Sequence, residues 1–532
     1  MEKPFTLKFP IGGLDKSKGY STQPPYTTVD CMNVWPSDWT DGRERGGTRP
    51  RLTNFAEFTG GTPLNWTELV YVLTTPGTTE RGIAVTSTTG VTFHVLGGSW
   101  KKVIDSSGNF ASSAVFLQEL IYTNASGAPK TVDLSTTTFN TSTLAPERYD
   151  PTEEQLEENE DHPGDTKGKV PTDCGVVLSH GGRLWFAGDT KAPQVLYASR
   201  VGDARDWDYS SVDSGGAWAT SGGVEGKISE PITSLYTHMS NQCLLVGCTD
   251  SCYVVTGNPR IGSGHVRSIS NAVGPLMQSA ICKIGDDRTF FFSRDGLQVV
   301  RPGCGEPPTP VSRKQLPKDL TGINPGAKDR VSIAYDALHK GIHIYAHTPS
   351  IEVAGDYDST YWFYDLASGG FWPMDFSKDI HLAATYPAQM TQEKSGLIAI
   401  GSRSYQFAVP SNNVIDKESY LWYGPFALGS PHTEGILTEI TAVLSSTSKD
   451  VKWGIYAGET AESALVDKFP FEGEWTVREE SGNDVASGLN YKSNPSKRGT
   501  MGYLKIESIR RGRWSMEEIM AVRRIAGRRT VG

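Results

Sequence analysis

Cysteines close together in a sequence are the first place to look for a metal site. Three of the seven cysteines, Cys243, Cys248 and Cys252, lie near one another, but they lack the paired close spacing of zinc ligands. They lie along two apolar runs, 244–246 and 253–255, on either side of a polar turn. This pattern favours small buried strand residues over metal ligands, because a free cysteine behaves as a small hydrophobe. Synthesis in a reducing compartment fits these cysteines best.

The ten histidines are scattered, except that His339, His343 and His347 recur at every fourth position. On a helix this spacing would place the three rings on one face. The surrounding residues, 338–347, have the pattern of a strand, in which neighbouring side chains point to opposite faces. Surface or strand-paired histidines are therefore favoured over a metal site, and we expect neither a metal nor a cofactor.

No catalytic motif stands out in the sequence. It contains no Gly-x-Ser-x-Gly elbow, P-loop, His-Glu-x-x-His helix or dinucleotide fingerprint. The turn Ser-Arg-Asp-Gly at 293–296 is similar to the Asp-box turn of sialidases, but the Gly and Thr-Trp that complete that box are missing. Asp-Gly turns are common in hairpins. We therefore predict that the protein is not an enzyme, and a glycan-binding or glycan-degrading propeller is the alternative.

The elements that position these residues are predicted to be strands. Short runs of β-branched and aromatic residues are closed by Gly, Asn, Asp, Ser or Pro. They group into a loose repeat of roughly 30–45 residues. Candidate units lie near 66–104, 111–146, 174–212, 231–259, 277–302, 329–376 and 380–410. Repeated four-stranded units of this length predict an all-β fold with a β-propeller of about six to eight blades. Independent β-sandwiches in a row are the alternative, but they would need linkers that the sequence does not show.

Shifts in composition divide the chain into three parts. We predict an N-terminal platform or subunit-contact segment at 1–65, the propeller at 66–411 and a C-terminal antiparallel β-sandwich at 412–532. An acidic insertion at 147–172 interrupts the propeller, either as a solvated loop or as a loop that faces a channel or a partner. Its candidate carboxylates are Glu153, Glu154, Glu157, Glu158, Glu160 and Asp161.

The charge balance argues against a general nucleic-acid binder. The chain has 60 acidic and 51 basic residues, a net charge of −9, whereas such binders neutralise phosphates with Lys and Arg. The same repulsion would let DNA pass without sticking. The sequence contains no run of about 18 apolar residues, so it predicts no membrane-spanning segment. The first five residues lack the pattern of a signal peptide.

Several short segments resemble one known family, the tail nozzle proteins (tail tubular B or DNA-stabilisation proteins) of short-tailed bacteriophages. The matching segments are Phe-Pro-Ile-Gly-Gly-Leu-Asp at 9–15, a Pro/Tyr segment leading to Asn-Val at 23–34, Gly-Arg-Glu-Arg-Gly-Gly-Thr-Arg-Pro at 42–50, His-Gly-Gly-Arg-Leu-Trp-Phe-Ala-Gly at 180–188 and Tyr-Ala-Ser-Arg-Val-Gly-Asp at 197–203. The sequence departs from the family at Arg51, where Arg-Pro is usually followed by Gly, and in the acidic insertion.

The resemblance implies a structural virion protein of the phage tail, assembled in the bacterial cytoplasm. Members of the family form a ring, usually six-fold, beneath the adaptor and portal. Its channel conducts double-stranded DNA during genome retention and ejection, without sequence-specific binding. An adaptor protein above and tail fibres or spikes at the flanks are the implied partners, and the family supplies no catalytic residue or cofactor.

We predict that the irregular N-terminal segment and the arginine-rich C-terminus make the contacts between subunits, although a solvated basic tail is the alternative at the C-terminus. The candidate residues are Tyr26, Trp35, Arg43, Arg45, Arg49, Arg523, Arg524, Arg528 and Arg529. A monomeric scaffold propeller of a host cell is a further alternative for the whole chain.

Overall fold

The computed structural model describes residues 2–38, 43, 45–56, 66–73, 81–87, 90–95, 100–105, 112–135, 140–148, 166–211, 213–220, 228–239, 242–261, 264–321, 330–349, 357–377, 380–386, 396–401, 404–408, 414–430, 432–445, 447–475 and 490–528. Within these residues almost all of the regular secondary structure is strand, which confirms the predicted all-β class. The described helices are all too short and too polar to cross a bilayer.

Seven four-stranded antiparallel sheets, each with its strands in sequential contact, make up the described part of the propeller. The strands of the first six are β6 (Trp66–Leu73), β7 (Arg81–Ser87), β8 (Gly90–Val95), β9 (Trp100–Asp105), β10 (Ser112–Phe116), β11 (Glu119–Thr123), β12 (Lys130–Asp133), β13 (Thr141–Thr143), β14 (Cys174–His180), β15 (Arg183–Asp189), β16 (Tyr197–Ala198), β17 (Trp218–Ala219), β18 (Ile232–His238), β19 (Cys243–Cys248), β20 (Cys252–Thr256), β21 (His265–Ser270), β22 (Ile281–Lys283), β23 (Thr289–Ser293), β24 (Gly296–Val300), β25 (Thr309–Pro310), β26 (Arg330–Asp336), β27 (Gly341–Pro349), β28 (Tyr357–Asp365) and β29 (Phe371–Met374).

The seventh sheet joins the two ends of the propeller. Its first three strands are β30 (Ile380–Tyr386), β31 (Gly396–Gly401) and β32 (Ser404–Ala408), and its outer strand is β5 (Arg51–Ala56) from the N-terminal side. In the β32–β5 pairing Phe407 lies opposite Leu52. An early strand thus completes the last blade, a feature that the predicted unit 380–410 did not include.

The first strand of each sheet lies at the centre of the propeller. Cα atoms of successive first strands approach within 8 Å of each other: β6 and β10, β10 and β14, β14 and β18, β22 and β26, β26 and β30, and β30 and β6. The 3-10 turn Gln278–Ala280 bridges the step from β18 to β22 and also lies within 8 Å of β6. The seven sheets therefore close into a ring with a narrow centre.

The other described strands, together with one short helix, form a two-sheet sandwich. Its remaining elements are β1 (Glu2–Lys8), β2 (Cys31–Met32), β3 (Val34–Trp35), β4 (Gly46–Thr48), β33 (Tyr420–Ala427), β34 (Thr433–Leu444), β35 (Val451–Gly458), α1 (Ala461–Leu465), β36 (Phe471–Trp475), β37 (Asn490–Ser493), β38 (Lys497–Gly499), β39 (Met501–Ser508) and β40 (Ser515–Arg528). The five-stranded sheet has the order β2-β33-β39-β35-β36. The other sheet has the order β3-β4-β40-β34-β37, with β1 on β40 and β38 on β34.

The N-terminal segment is therefore not a separate platform, as the prediction for 1–65 supposed. Strands β1 to β4 complete the two sheets of the sandwich, and β5 completes the propeller. Strands β2, β3 and β4 have only two or three residues, which is too short for an alternating pattern to reveal them. In addition, β2 and β4 pair with strands that lie hundreds of residues away, as in the pairing of Cys31 with Leu421.

Candidate functional site: the joint between propeller and sandwich

The N-terminal chain contacts the propeller at Gly13. The backbone N–H of the next residue, Leu14, donates to the carbonyl oxygen of Phe371 at 2.9 Å. Gly13 has a φ of +70°, and a Cβ there would lie 2.6 Å from the same carbonyl oxygen. The Gly-Gly-Leu motif thus lets the N-terminal chain run directly against β29, because a residue with a side chain would neither fit nor adopt this backbone easily.

Asn33 connects three parts of the chain through one amide group. Its Oδ1 accepts hydrogen bonds from Arg49 Nε and from the backbone N–H of Asp375, both at 2.8 Å. Its Nδ2 donates to the carbonyl oxygen of Glu418 at 2.8 Å. Asn33 is buried and has a φ of +57°, which asparagine adopts more readily than most residues. The residue therefore links the N-terminal segment to the end of β29 and to the chain that leads into β33.

Arg49 is fully buried and holds the same three parts together. Its Nη2 donates to the carbonyl oxygen of Asp375 at 2.6 Å and to Oδ2 of Asp416 at 3.0 Å. Its Nη1 donates to the carbonyl oxygen of Pro50 at 2.8 Å, and the guanidinium carbon lies 4.4 Å from the centre of the Phe376 ring. Because the Asp416 side chain is only 8% exposed, loss of Arg49 would leave a buried carboxylate without its charge partner.

Trp35 fills the apolar side of the joint. Its ring stacks on Phe363 with centroids 4.3 Å apart, and the rings of His339 and His343 pack edge-on against it. Oδ2 of Asp336 lies 2.7 Å from Nδ1 of His339 and 3.3 Å from Nε2 of His343. Burial alone would raise the pKa of Asp336, but these hydrogen bonds outweigh burial and hold that pKa below its usual value. The histidines are thus part of a buried structural network.

A second ion-pair group ties the segment after β3 to β40. Asp38 is buried between Arg45 and Arg513, with Arg45 Nε 3.0 Å from Oδ2 and Arg513 Nη2 bonded to Oδ1. Arg513 Nη1 also donates to Oγ1 of Thr447 at 2.6 Å, and Arg45 Nη1 lies 3.4 Å from Oε1 of Glu517. No pattern in the sequence indicates Asp38 or Arg513, because the pairing joins residues that are 475 positions apart.

The structure divides the predicted subunit-contact residues. Trp35 and Arg49 are buried within their own chain, and the Arg45 side chain is only 13% exposed, so we withdraw these three as subunit contacts. The prediction took arginines and aromatic residues in an irregular segment to be exposed, whereas here they pack the joint. Tyr26, by contrast, is 54% exposed and agrees with a surface role.

The remaining candidates lie on the surface or beyond the described residues. Arg43 and Arg524 are exposed. Arg523 is half-buried, because it donates to the carbonyl oxygen of Ala427 and lies 5.6 Å from the centre of the Phe5 ring. The Arg528 side chain, Arg529 and all six carboxylates of the acidic insertion, Glu153, Glu154, Glu157, Glu158, Glu160 and Asp161, lie outside the described residues.

The cysteines agree with the sequence expectation in part. Cys248 and Cys252 are buried strand residues, and burial raises the pKa of both thiols. Cys243 differs, because it forms a disulfide with Cys304, 61 residues further along the chain and 6.1 Å away between Cα atoms. Cys304 follows β24, so the bond links the fourth sheet to the fifth. Since Cys304 lies far from the three clustered cysteines, their spacing could not reveal it.

The other chemistry-bearing residues do not converge. The turn at 293–296 joins β23 to β24, and its Asp295 is half-exposed with Arg313 as its ion-pair partner at 3.5 Å. The side chain of His347 lies outside the described residues. Where the structure describes the chain, no three His, Cys, Asp or Glu side chains are grouped so that they could hold a metal ion.

Comparisons with known proteins found low-identity structural likenesses only. No family model and no curated protein sequence matches the chain. The β-propeller domain of Myceliophteria thermophila Cps50 (Swd1) is similar with a TM-score of 0.39 and 10% identity, over 68% of this chain and 100% of that domain. YCF48 bound to a D1 peptide is similar with a TM-score of 0.39 and 9% identity, over 68% of this chain and 99% of that chain. The extracellular domain of the hybrid two-component system BT4673 from B. thetaiotaomicron is similar with a TM-score of 0.30 and 9% identity, over 72% of this chain and 58% of that chain. At these TM-scores and identities the likenesses carry no argument about this chain. The seven four-stranded sheets of the described residues and their closure into a ring identify it as a β-propeller protein.

Proposed function

We propose that this chain is a tail nozzle subunit of a short-tailed bacteriophage. Copies form a ring in the virion tail, and the ring conducts double-stranded DNA during retention and ejection. The observation that carries the proposal is the position of the residues that resemble the family. Gly13, Asn33 and Arg49, which come from three of the matching segments, all lie in the joint and make its key contacts. The resemblance therefore covers the residues that fix the two-part architecture.

A fourth residue of these segments supports the same point. Gly47, in β4, lies against β40 so closely that a Cβ would be 2.2 Å from the carbonyl oxygen of Trp514. Gly47 is thus needed for the close approach of two strands, whereas a Cβ on Gly46 would collide with the ring of Phe9.

The centre of the propeller is too narrow to be the DNA channel. Cα atoms of neighbouring first strands approach within 8 Å around the ring, and the turn Gln278–Ala280 bridges the step from β18 to β22. The same turn also lies within 8 Å of β6, which belongs to a non-neighbouring sheet, so the opening is much narrower than the roughly 20 Å of duplex DNA. A conduit for DNA must therefore lie between copies of the chain, which favours a ring with head-to-tail interfaces.

Within this ring we expect acidic side chains to line the channel and basic side chains to serve the subunit contacts. A wall of Lys and Arg would bind the phosphates and slow ejection. The carboxylates at 153–161 remain candidates for the channel rim, the adaptor protein lies above the ring, and tail fibres or spikes bind its flanks.

The test is negative-stain electron microscopy of the purified full chain, alone and with the adaptor ring of the same virion. The proposal expects closed rings, at least in the presence of the adaptor. A chain that stays monomeric under both conditions would overturn it.

A further inference from the structure

Two of the described edge strands of the sandwich, β1 and β36, lie on opposite sides of it. In the five-stranded sheet, β36 is the last described strand, and β33 lies at the other side of β39. Strand β1 is the outer strand on β40 and packs over β33, with the rings of Phe5 and Phe426 5.5 Å apart. Strand β36 lies near β37, because Trp475 Nε1 donates to Oγ of Ser493 at 2.9 Å. The β1 and β36 edges therefore face away from each other.

The β36 edge is acidic and apolar. Glu472 and Glu474 are exposed on the strand. Just before the strand, Phe469 is 83% exposed and Val466 is 71% exposed, with the exposed Lys468 between them, so the acidic charge of this edge comes from the two glutamates of β36 itself. Glu472 has one partner, Lys452, at 3.0 Å, in a pair that is itself largely open to solvent. Large exposed apolar side chains beside charged ones are typical of a surface that binds another protein.

The β1 edge is basic and apolar. Lys3 and Arg524 are exposed, and Lys3 lies directly opposite Arg523 in the β1–β40 pairing. In the described part of the chain, no carboxylate lies within ion-pair distance of these three cations. Met520 and Ile525 on the same strand are 43% and 53% exposed. This edge thus has the opposite charge to the β36 edge and a similar apolar content.

We propose that the β1 edge of one copy binds the β36 edge of the next copy. Complementary charge on two opposite edges of one chain lets each copy bind one neighbour on either side, which is the head-to-tail arrangement that closes into a ring. The occupant of each edge is therefore a second copy of this chain. The inference rests on the proposed ring function and assigns its subunit contact to the sandwich.

Charge reversal provides the test. The first variant carries Lys3→Glu and Arg524→Glu, which makes both edges acidic. The second carries Glu472→Lys and Glu474→Lys, which makes both edges basic. Lys314→Glu with Lys318→Glu, at exposed positions in the segment that follows β25, is the matched control. All these side chains are exposed, so we expect folding to be unchanged, and the thermal midpoint of each variant checks this.

Assembly is measured by mass photometry across a concentration series. We expect each edge variant alone to need more than about tenfold higher concentration to assemble, because like charges then face each other. The control assembles like the wild type. An equimolar mixture of the two edge variants recovers assembly, since acidic and basic copies can alternate, and it forms only rings with an even number of subunits.

The outcomes separate the inference from the function on which it rests. Rings that form equally well with either edge variant would overturn the inference and leave the proposed function standing. Loss of duplex DNA binding in the first variant, with unchanged assembly, would also overturn it and assign the basic edge to nucleic acid. A wild type that never assembles, even with the adaptor, would overturn both.

Discussion

Replacement of Arg49 by methionine should destabilise the protein more than any exposed charge change. Methionine keeps much of the side-chain volume and removes the guanidinium that bonds Asn33, Asp375 and Asp416. The buried Asp416 carboxylate then loses its charge partner, and two backbone carbonyls lose a donor.

The expected loss in the free energy of unfolding is about 3–5 kcal/mol, the range for breaking a buried ion pair on one side. The contact of Arg49 with the Phe376 ring contributes to this loss by about 0.5–2 kcal/mol. Arg49→Lys should lose less, because an ammonium retains the charge but cannot reproduce the fork of hydrogen bonds.

The assay is urea denaturation of the full chain, followed by tryptophan fluorescence, which includes the signal of Trp35 in the joint. Arg294→Met is the matched control, since its partner Asp250 is at 3.3 Å and both side chains are about half exposed. The control should cost less than about 1 kcal/mol. If Arg49→Met lowers the free energy of unfolding no more than the control does, the claim that the buried Arg49–Asp416 ion pair stabilises the joint is refuted.

Three further predictions follow from particular residues. Cys304→Ser should lower the free energy of unfolding by up to about 4 kcal/mol from loop closure, and a reducing agent should lower the urea midpoint of the wild type but not of the variant. Burial lowers the pKa of His180 to about 4, so the unfolded chain binds the proton more tightly than the folded chain does. The free energy of unfolding should therefore fall as the pH drops from about 6.5 towards 4. Thermal midpoints across that range should fall less in His180→Gln than in the wild type. Gly47→Ala should cost about 1–3 kcal/mol by crowding β40, whereas Gly19→Ala, whose Cβ would meet only a side-chain oxygen at 3.7 Å, should leave the urea midpoint nearly unchanged.

The propeller could be predicted because its information is local. Each hairpin is formed by neighbouring runs of apolar residues and a turn. An example is the Asp-Gly turn between β23 and β24, in which Gly296 has a φ of +91°. Seven such units recur at regular intervals in the sequence. The pairing of β5 with β32 could not be predicted, because the two strands are about 350 residues apart and no sequence pattern in either strand identifies its partner.

The joint was only half predictable. The resemblance identified the segments that contain Gly13, Asn33 and Arg49, but the irregular pattern of the N-terminal segment favoured contacts between subunits. Their partners, such as Phe371 and Asp416, come from distant parts of the chain, and only the folded backbone brings them together. The charge of the sandwich edges was hidden for a similar reason, since it depends on which strand lies at the end of each sheet.

The central claim is that copies of this chain enclose a channel for DNA. Its most direct test is a single-particle reconstruction of the assembled full-length protein. We expect a closed ring whose channel is wider than the roughly 20 Å of duplex DNA and whose wall carries mainly Asp and Glu. A channel too narrow for a duplex, or one lined mainly by Lys and Arg, would contradict the account.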